Sequence, residues 1–233
     1  MTSTLRTAAI PRQIRGRNVG HWTPRYIRDR TRQALYQKTH PDAPWLTPEA
    51  IRLLGPMLRP TDIGAEFGSG RSTLWLARRC AHLTSVEHDE AWHAKVSGVL
   101  VGERFSHVDY QCHPRDEPEA TGDRSSYAQV ALLMRDQSLD FALVDGVYRD
   151  NVALFLLPKI RSGGMLIIDN VNWYLPSLTT SPASLRLPAA PATVAWEQAA
   201  AELAGWRRIW TSNGVWDTAI FVKAPDAAKG PVN

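Results

Sequence analysis

Two carboxylates and a pair of glycines carry the first chemical signal. Glu66, Phe67, Gly68, Ser69, Gly70, Arg71, Ser72 and Thr73 follow the apolar residues Ile63, Gly64 and Ala65. Glycines at 68 and 70 let the backbone turn sharply, and their missing Cβ atoms let a ligand approach the main chain. A helical pattern starts at Ser72, and the free N–H groups of such a helix start point into the same space. Glu87 closes the next apolar run, 21 residues after Glu66, with His88 beside it. An acid so placed, at the tip of a second strand, can accept hydrogen bonds from ribose hydroxyls. Position 73 is Thr, where a dinucleotide fingerprint has its third glycine. A pyrophosphate needs the close helix approach that this glycine permits; a nucleoside without phosphate does not.

A second constellation lies further on. Asp145 ends the apolar run from Leu139, and Asp169 and Asn170 end the run from Met165. Two carboxylates and an amide oxygen on adjacent strand tips form an all-oxygen set of the kind Mg²⁺ prefers. A cation there could hold a hydroxyl and lower its pKa. Tyr148 and His88 are the groups nearby that could take a proton. Arg149 could clamp a carboxylate or phosphate, or pair with Asp150 on a helix surface. Asn172, Trp173 and Tyr174 follow the same strand and could wall a pocket for a flat or sugar-like molecule, or plug the core.

These groups need a frame of alternating elements. Thr23-Pro24 and Thr47-Pro48 each read as a helix cap with proline in the first turn. They start helices to about residues 38 and 58, the first with Tyr26, Ile27, Ala34 and Leu35 as its apolar side. Strands are expected at 62–67, 83–87, 106–112, 139–146 and 165–170. Helices are expected at 71–81, 90–100, 125–135 and 149–160, with Ser162, Gly163 and Gly164 stopping the last. A polar loop fills 113–123. A long proline-bearing loop, 171–191, leads to a helix over 193–204 and a strand pair, 206–211 and 216–222. The near-continuous apolar strands suit a parallel sheet covered on both faces. The expected architecture is α/β: a doubly wound, mostly parallel, seven-stranded sheet with a C-terminal antiparallel hairpin and an N-terminal helical extension.

The 233 residues, 44% of them hydrophobic, fit one such domain with an extension. Residues 1–58 read as a basic arm and helical cover, 59–224 as the ligand-binding domain and 225–233 as a flexible tail. Trp22, Tyr26 and Trp45 could line the cover or pin it to the core. Residues 1–60 carry eleven Lys/Arg against three Asp/Glu, a net +8, and the remainder carries −4, giving +4 in total. A basic arm on an acidic domain can meet nucleic acid, an anionic substrate or another subunit, or be a solvated face. Cys80 and Cys112 are too few for a disulfide framework and read as buried thiols. The N-terminus has no apolar signal core, and no run reaches membrane-spanning length, so a cytoplasmic protein is expected.

The Glu66-Phe67-Gly68-Ser69-Gly70 stretch with Glu87 resembles the class I S-adenosylmethionine-dependent methyltransferases, and residues 45–224 look like their fold. Val144-Asp145-Gly146 with Gly163 to Asn170 is similar to the metal-dependent O-methyltransferases within that class, which act on catechols, caffeoyl-CoA and antibiotic sugars. The resemblance implies S-adenosylmethionine held by Glu66, Gly68, Ser69, Gly70, Ser72, Thr73, Glu87, His88 and Asp145. It implies Mg²⁺ on Asp145, Asp169 and Asn170. The family's lysine after the fourth strand is absent: Val147, Tyr148 and Arg149 stand there. Deprotonation would then fall to Tyr148, His88 or the metal, with Asp145 and Asp169 as the other catalytic candidates. Arg149, Asn172, Trp173 and Tyr174 are the candidate substrate residues. The expected partner is a small-molecule acceptor methylated on oxygen, with the N-terminal arm available for homo-oligomers. Alternatives are metal-independent N- or C-methylation of a small molecule, or RNA methylation using the basic arm. A non-catalytic nucleotide binder is a further alternative. Asp145-Gly146-Val147-Tyr148 is not the Asn/Asp-Pro-Pro-Tyr/Phe motif of amino-group methylation, which disfavours nucleic acid.

Overall fold

The computed structural model describes residues 22–225. Residues 1–21 of the expected basic arm, and nearly all of the expected tail, lie outside those residues. Seven strands form one sheet: β1 (Ile63–Phe67), β2 (His82–Glu87), β3 (Val108–Cys112), β4 (Leu139–Val144), β5 (Ile160–Asp169), β6 (Arg207–Ser212) and β7 (Asp217–Val222). Their spatial order is β3-β2-β1-β4-β5-β7-β6. The first five are parallel, and β7 runs antiparallel between β5 and β6. The seven-stranded sheet with its closing hairpin is therefore the one the apolar periodicity predicts.

The helices are α1 (Pro24–Thr39), α2 (Pro48–Met57), α3 (Arg71–Ala77), α4 (Glu90–Gly102), α5 (Ser126–Leu133), α6 (Arg149–Leu156) and α7 (Val194–Leu203). The central strands bury both faces, which explains their unbroken apolar sequence. Ala142 and Val144 of β4 pack with Tyr127, Val152 and Trp196 of α5, α6 and α7. Phe141 and Leu143, one residue out of phase, pack with Leu54, Trp75 and Leu76 of α2 and α3.

Several expectations are corrected. Helix α3 ends at Ala77: the Arg79 N–H tightens onto the Leu76 carbonyl at 2.8 Å, and the Arg79 guanidinium, lying over the Trp75 ring, donates to the Trp75 carbonyl at 2.8 Å. Helix α6 ends at Leu156, since Pro158 has no N–H to continue it. The chain then enters β5 at once, so Ser162, Gly163 and Gly164 lie inside a strand rather than stopping a helix. The β4–β5 register shifts between Leu139 and Phe141 at this place. The polar loop after β3 contains a 3-10 segment, Glu119–Arg124. Cys80 is buried as expected, but Cys112 is only half-buried.

Helix α1 presents the opposite face from the one its apolar residues suggest. Ile27 and Leu35 are exposed, while Asp29 and Gln33 are buried. The reason is polar docking: the Asn213 amide donates to Gln33 Oε1 at 3.1 Å, and Asp29 lies against Gly214 in the β6–β7 turn. Arg28 pairs with Asp29 at 2.9 Å. Trp22 is 64% exposed and Trp45 half-buried, whereas Tyr26 lines a cavity of about 340 Å³ between α1 and the loop at residues 180–186.

Candidate functional site

The strand order reverses between β1 and β4, and in open parallel sheets ligands bind at the carboxyl ends beside such a switch. Glu66, in β1, is fully buried there. Its Oε2 accepts the hydroxyls of Thr73 at 2.6 Å and Ser85 at 2.7 Å. Its Oε1 has no partner. Burial lifts the Glu66 pKa to about 7 against the opposing pull of the Ser72, Thr73 and Ser85 hydroxyls.

The glycine loop is wedged between neighbouring strands. Gly68 N–H donates to the Val86 carbonyl at 2.9 Å, and Asp145 N–H donates to the Phe67 carbonyl at 2.8 Å. Gly68 has φ +100°, and a Cβ there would lie 2.4 Å from the backbone nitrogen of Gly146. Only glycine combines that φ with that approach. Thr73 caps the turn from inside, accepting the Gly70 N–H at 2.9 Å while donating to Glu66. It is fully buried, so its role is to orient the acid and the loop rather than to meet a ligand.

Glu87, at the β2 tip, is the loop's second anchor. Its Oε2 accepts Ser69 N–H at 3.0 Å and the Ser69 hydroxyl at 2.6 Å. Its Oε1 accepts the backbone N–H groups of His88 at 2.8 Å and Asp89 at 2.9 Å. Burial works against its charge, but hydrogen bonds from His88, Ser69 and Asp89 outweigh it and hold the pKa at about 2. These donors fill the roughly four lone-pair sites of a carboxylate. The Ser69 hydroxyl also lies 2.6 Å from the Tyr110 hydroxyl, so it has a second partner available. The imidazole Nδ1 of His88 lies 2.9 Å from Glu87 Oε1, without the alignment of a hydrogen bond.

Two aromatic residues outside the expected site, Trp92 (read from the sequence as a core residue of its helix) and Tyr127, complete this half. The Trp92 indole N–H donates to the Ser69 carbonyl at 2.9 Å, tying α4 to the loop. Tyr127, in the first turn of α5, is fully buried, and its hydroxyl has no partner. It lies so close to Gly146 that a Cβ on that glycine would come within 1.9 Å of the hydroxyl oxygen. Nothing in the spacing of 125–135 distinguishes this tyrosine from a core aromatic.

The other half differs from the expected metal site. The guanidinium of Arg149, the first residue of α6, sits among the groups that sequence offers to a cation. Nε donates to the Gly146 carbonyl at 2.8 Å. Nη1 donates to the Asp169 carbonyl at 2.7 Å and to Asn170 Oδ1 at 3.2 Å. Nη2 donates to the Asp145 carbonyl at 2.6 Å and pairs with the Asp145 carboxylate at 2.8 Å. Asp169 instead accepts the Thr218 hydroxyl at 2.5 Å. Asp145 and Asn170 are thus engaged by an internal cation, and the set as folded does not fit Mg²⁺. No group of three His, Cys, Asp or Glu able to hold a metal occurs among the described residues.

The same contacts correct other expectations. Arg149 has five N–H bonds, and all five have acceptors within the chain, so it does not clamp a substrate. Its alternative pairing with Asp150 is replaced by Asp145. Tyr148 is buried, and its hydroxyl donates to the Glu117 carbonyl, which removes it as a base. Asn172 is buried too: its Oδ1 accepts Asp217 N–H at 3.0 Å, and its amide donates to Ser184 Oγ at 2.9 Å. It pins the long loop after β5. Tyr174 stacks on Trp196 with ring centroids 5.2 Å apart, leaving Trp173, 36% exposed, as the open aromatic face.

Glu66, Glu87, Asp145 and Asp169 therefore line the strand tips, with the Arg149 guanidinium set between the tips of β4 and β5. Such a site favours a ligand that brings positive charge and hydrogen-bond donors. No protein-family model matches the sequence, and no curated protein matches it. Solved structures do share its fold. A protein from Corynebacterium glutamicum is 14% identical with TM-score 0.55, the match covering 88% of this chain and 92% of that one. A methyltransferase-like protein from Silicibacter pomeroyi is 19% identical with TM-score 0.52, over 81% of this chain and 92% of that one. A candidate caffeoyl-CoA O-methyltransferase from Staphylococcus aureus is 14% identical with TM-score 0.52, over 88% and 95%. At such identities the likeness is one of fold, and the fold is the methyltransferase-like α/β sheet.

Proposed function

We propose that this protein is an S-adenosylmethionine-dependent methyltransferase acting on a small molecule, with a hydroxyl oxygen as the acceptor. The observation that carries the proposal is Glu66: a fully buried carboxylate with one unpartnered oxygen beside a glycine loop. A buried acid in that state is incomplete without a donor, and the cofactor's α-ammonium is a donor with charge. Gly68 and Gly70 leave room for the methionine portion. Glu87 would hold the ribose hydroxyls once the Ser69 hydroxyl turns to Tyr110. Asp145, fixed by Arg149, closes the methionine side.

The cofactor supplies an electrophilic methyl on a sulfonium. The chain's task is alignment and exclusion of water. His88, beside the Glu87 carboxylate, is the remaining candidate to accept the acceptor's proton. Trp173 would form a wall for the acceptor. On this reading residues 59–224 form the catalytic unit, residues 1–58 its arm and cover, and the setting is cytoplasmic.

The test is thermal stability with S-adenosylhomocysteine. At about 100 times its dissociation constant it should add roughly 2.7 kcal/mol, and Glu66→Ala should abolish the shift. An unchanged melting temperature with S-adenosylhomocysteine, or a shift given by NAD instead, would sink the proposal.

A further inference from the structure

The engagement of Asp145 and Asn170 has a cause specific to this chain. The link from β4 to α6 is short, and Tyr148 takes a left-handed conformation at φ 48° to start the helix. That turn swings the first helical side chain, Arg149, back across the tips of β4 and β5. Asn170 is also left-handed, at φ 51°, which directs the chain after β5 around the same point. Both conformations are costly for residues with a Cβ and persist only where the surroundings hold them. Here the guanidinium does so, donating to three carbonyls and two side-chain oxygens drawn from both tips.

We propose that Arg149 is a resident cation standing where the related chemistry would place a divalent metal, so that the site needs no metal and its removal would create a metal site. Arg149 is a positioning residue: its side chain is only 13% exposed, and the Tyr174 ring covers it at 5.9 Å. The charge count supports the idea. Burial raises both Asp145 and Asp169 above the usual carboxylate range; Asp145 is drawn back by the guanidinium, whereas Asp169 is raised further by burial and by Asp145. The set thus places two acids beside one guanidinium, whose fork pairs directly with the Asp145 carboxylate. A divalent cation added to it would have to displace a side chain with five satisfied donors. With Arg149 gone, the Asp145 carboxylate, the Asn170 amide oxygen and the carbonyls of Asp145, Gly146 and Asp169 would face an emptied volume, which is an all-oxygen, hard-cation site. The inference rests on the strand-tip geometry and does not depend on which cofactor binds.

The experiment is Mn²⁺ titration followed by the electron paramagnetic resonance signal of the free ion. The full-length wild-type chain should leave the free signal unchanged. Arg149→Ala should gain one Mn²⁺ per chain, and Arg149→Ala with Asp145→Asn should lose it again. Arg149→Gln, which keeps most of the side-chain volume, provides the same readout if the alanine variant does not fold. Arg149→Lys, which keeps the charge without the fork, should bind no Mn²⁺. A purely structural arginine would not confer metal binding on its removal. Stoichiometric Mn²⁺ binding by the wild type that Asp145→Asn abolishes would overturn the proposal. So would a folded Arg149→Ala or Arg149→Gln that binds none.

Discussion

Thr73 and Glu66 share one hydroxyl. Thr73 Oγ1 donates to the Glu66 carboxylate at 2.6 Å and accepts the N–H of Gly70 at 2.9 Å. The acid in β1 and the loop that follows it are therefore locked to each other through the first turn of α3. This replaces a third glycine with a hydrogen-bonded wedge. Thr73→Val keeps the shape and removes both bonds, leaving a buried N–H and a less supported carboxylate. It should cost about 1–3 kcal/mol in urea unfolding, and S-adenosylhomocysteine affinity should fall with it. Thr73→Ser should restore both. Unchanged stability in the valine variant would contradict the wedge.

Glu66 sets a pH dependence. Its folded pKa of about 7 lies above the ordinary value of 4.5. The folded state therefore binds the proton more tightly than the unfolded chain. The stability it contributes is fully present below the ordinary value and is lost as pH rises through about 7. Ligand binding runs the other way, since an ammonium needs the ionised acid. Affinity for S-adenosylhomocysteine should weaken by about tenfold per pH unit below neutrality, with proton release on binding. Calorimetry in buffers of different ionisation enthalpy would measure that release, and Glu66→Gln should remove it. A flat affinity profile between pH 5 and 8 would refute the assignment.

The unpartnered Tyr127 hydroxyl should oppose stability and favour binding. Leaving a buried hydroxyl unsatisfied costs about 1–3 kcal/mol. Tyr127→Phe should therefore raise the melting temperature of the free protein while lowering its affinity for S-adenosylhomocysteine. A core tyrosine with no ligand would show the first effect without the second.

Asn172 should matter through the loop it holds. Its side chain joins the start of β7 to Ser184 across 171–191. Asn172→Ala should destabilise by about 2 kcal/mol. It should also speed hydrogen exchange at Leu185, whose N–H donates to the Asn172 carbonyl at 2.8 Å. Exchange confined to wild-type rates in that loop would show that other contacts carry it.

The sequence by itself determined the sheet, its closing hairpin and the acids at the strand tips. Those features are local: apolar runs of strand length, caps such as Thr23-Pro24, and carboxylates that end a run because their charge cannot continue into the core. The glycine loop was legible for the same reason, since φ +100° at Gly68 is a demand on one residue. Tertiary structure alone decided what those acids face. Arg149 lies four residues from Asp145 in sequence, but only the left-handed turn at Tyr148 and the neighbouring β5 tip bring its guanidinium onto Asn170 and the Asp169 carbonyl. Asp145, Asp169 and Asn170 read as a metal set because composition shows the oxygens and not the cation folded among them. The buried face of α1 was hidden likewise: Asp29 and Gln33 are inside because a turn almost two hundred residues later supplies polar partners. Local pattern specifies backbone geometry, while the identity of a charge's partner is set by contacts between segments far apart in the chain.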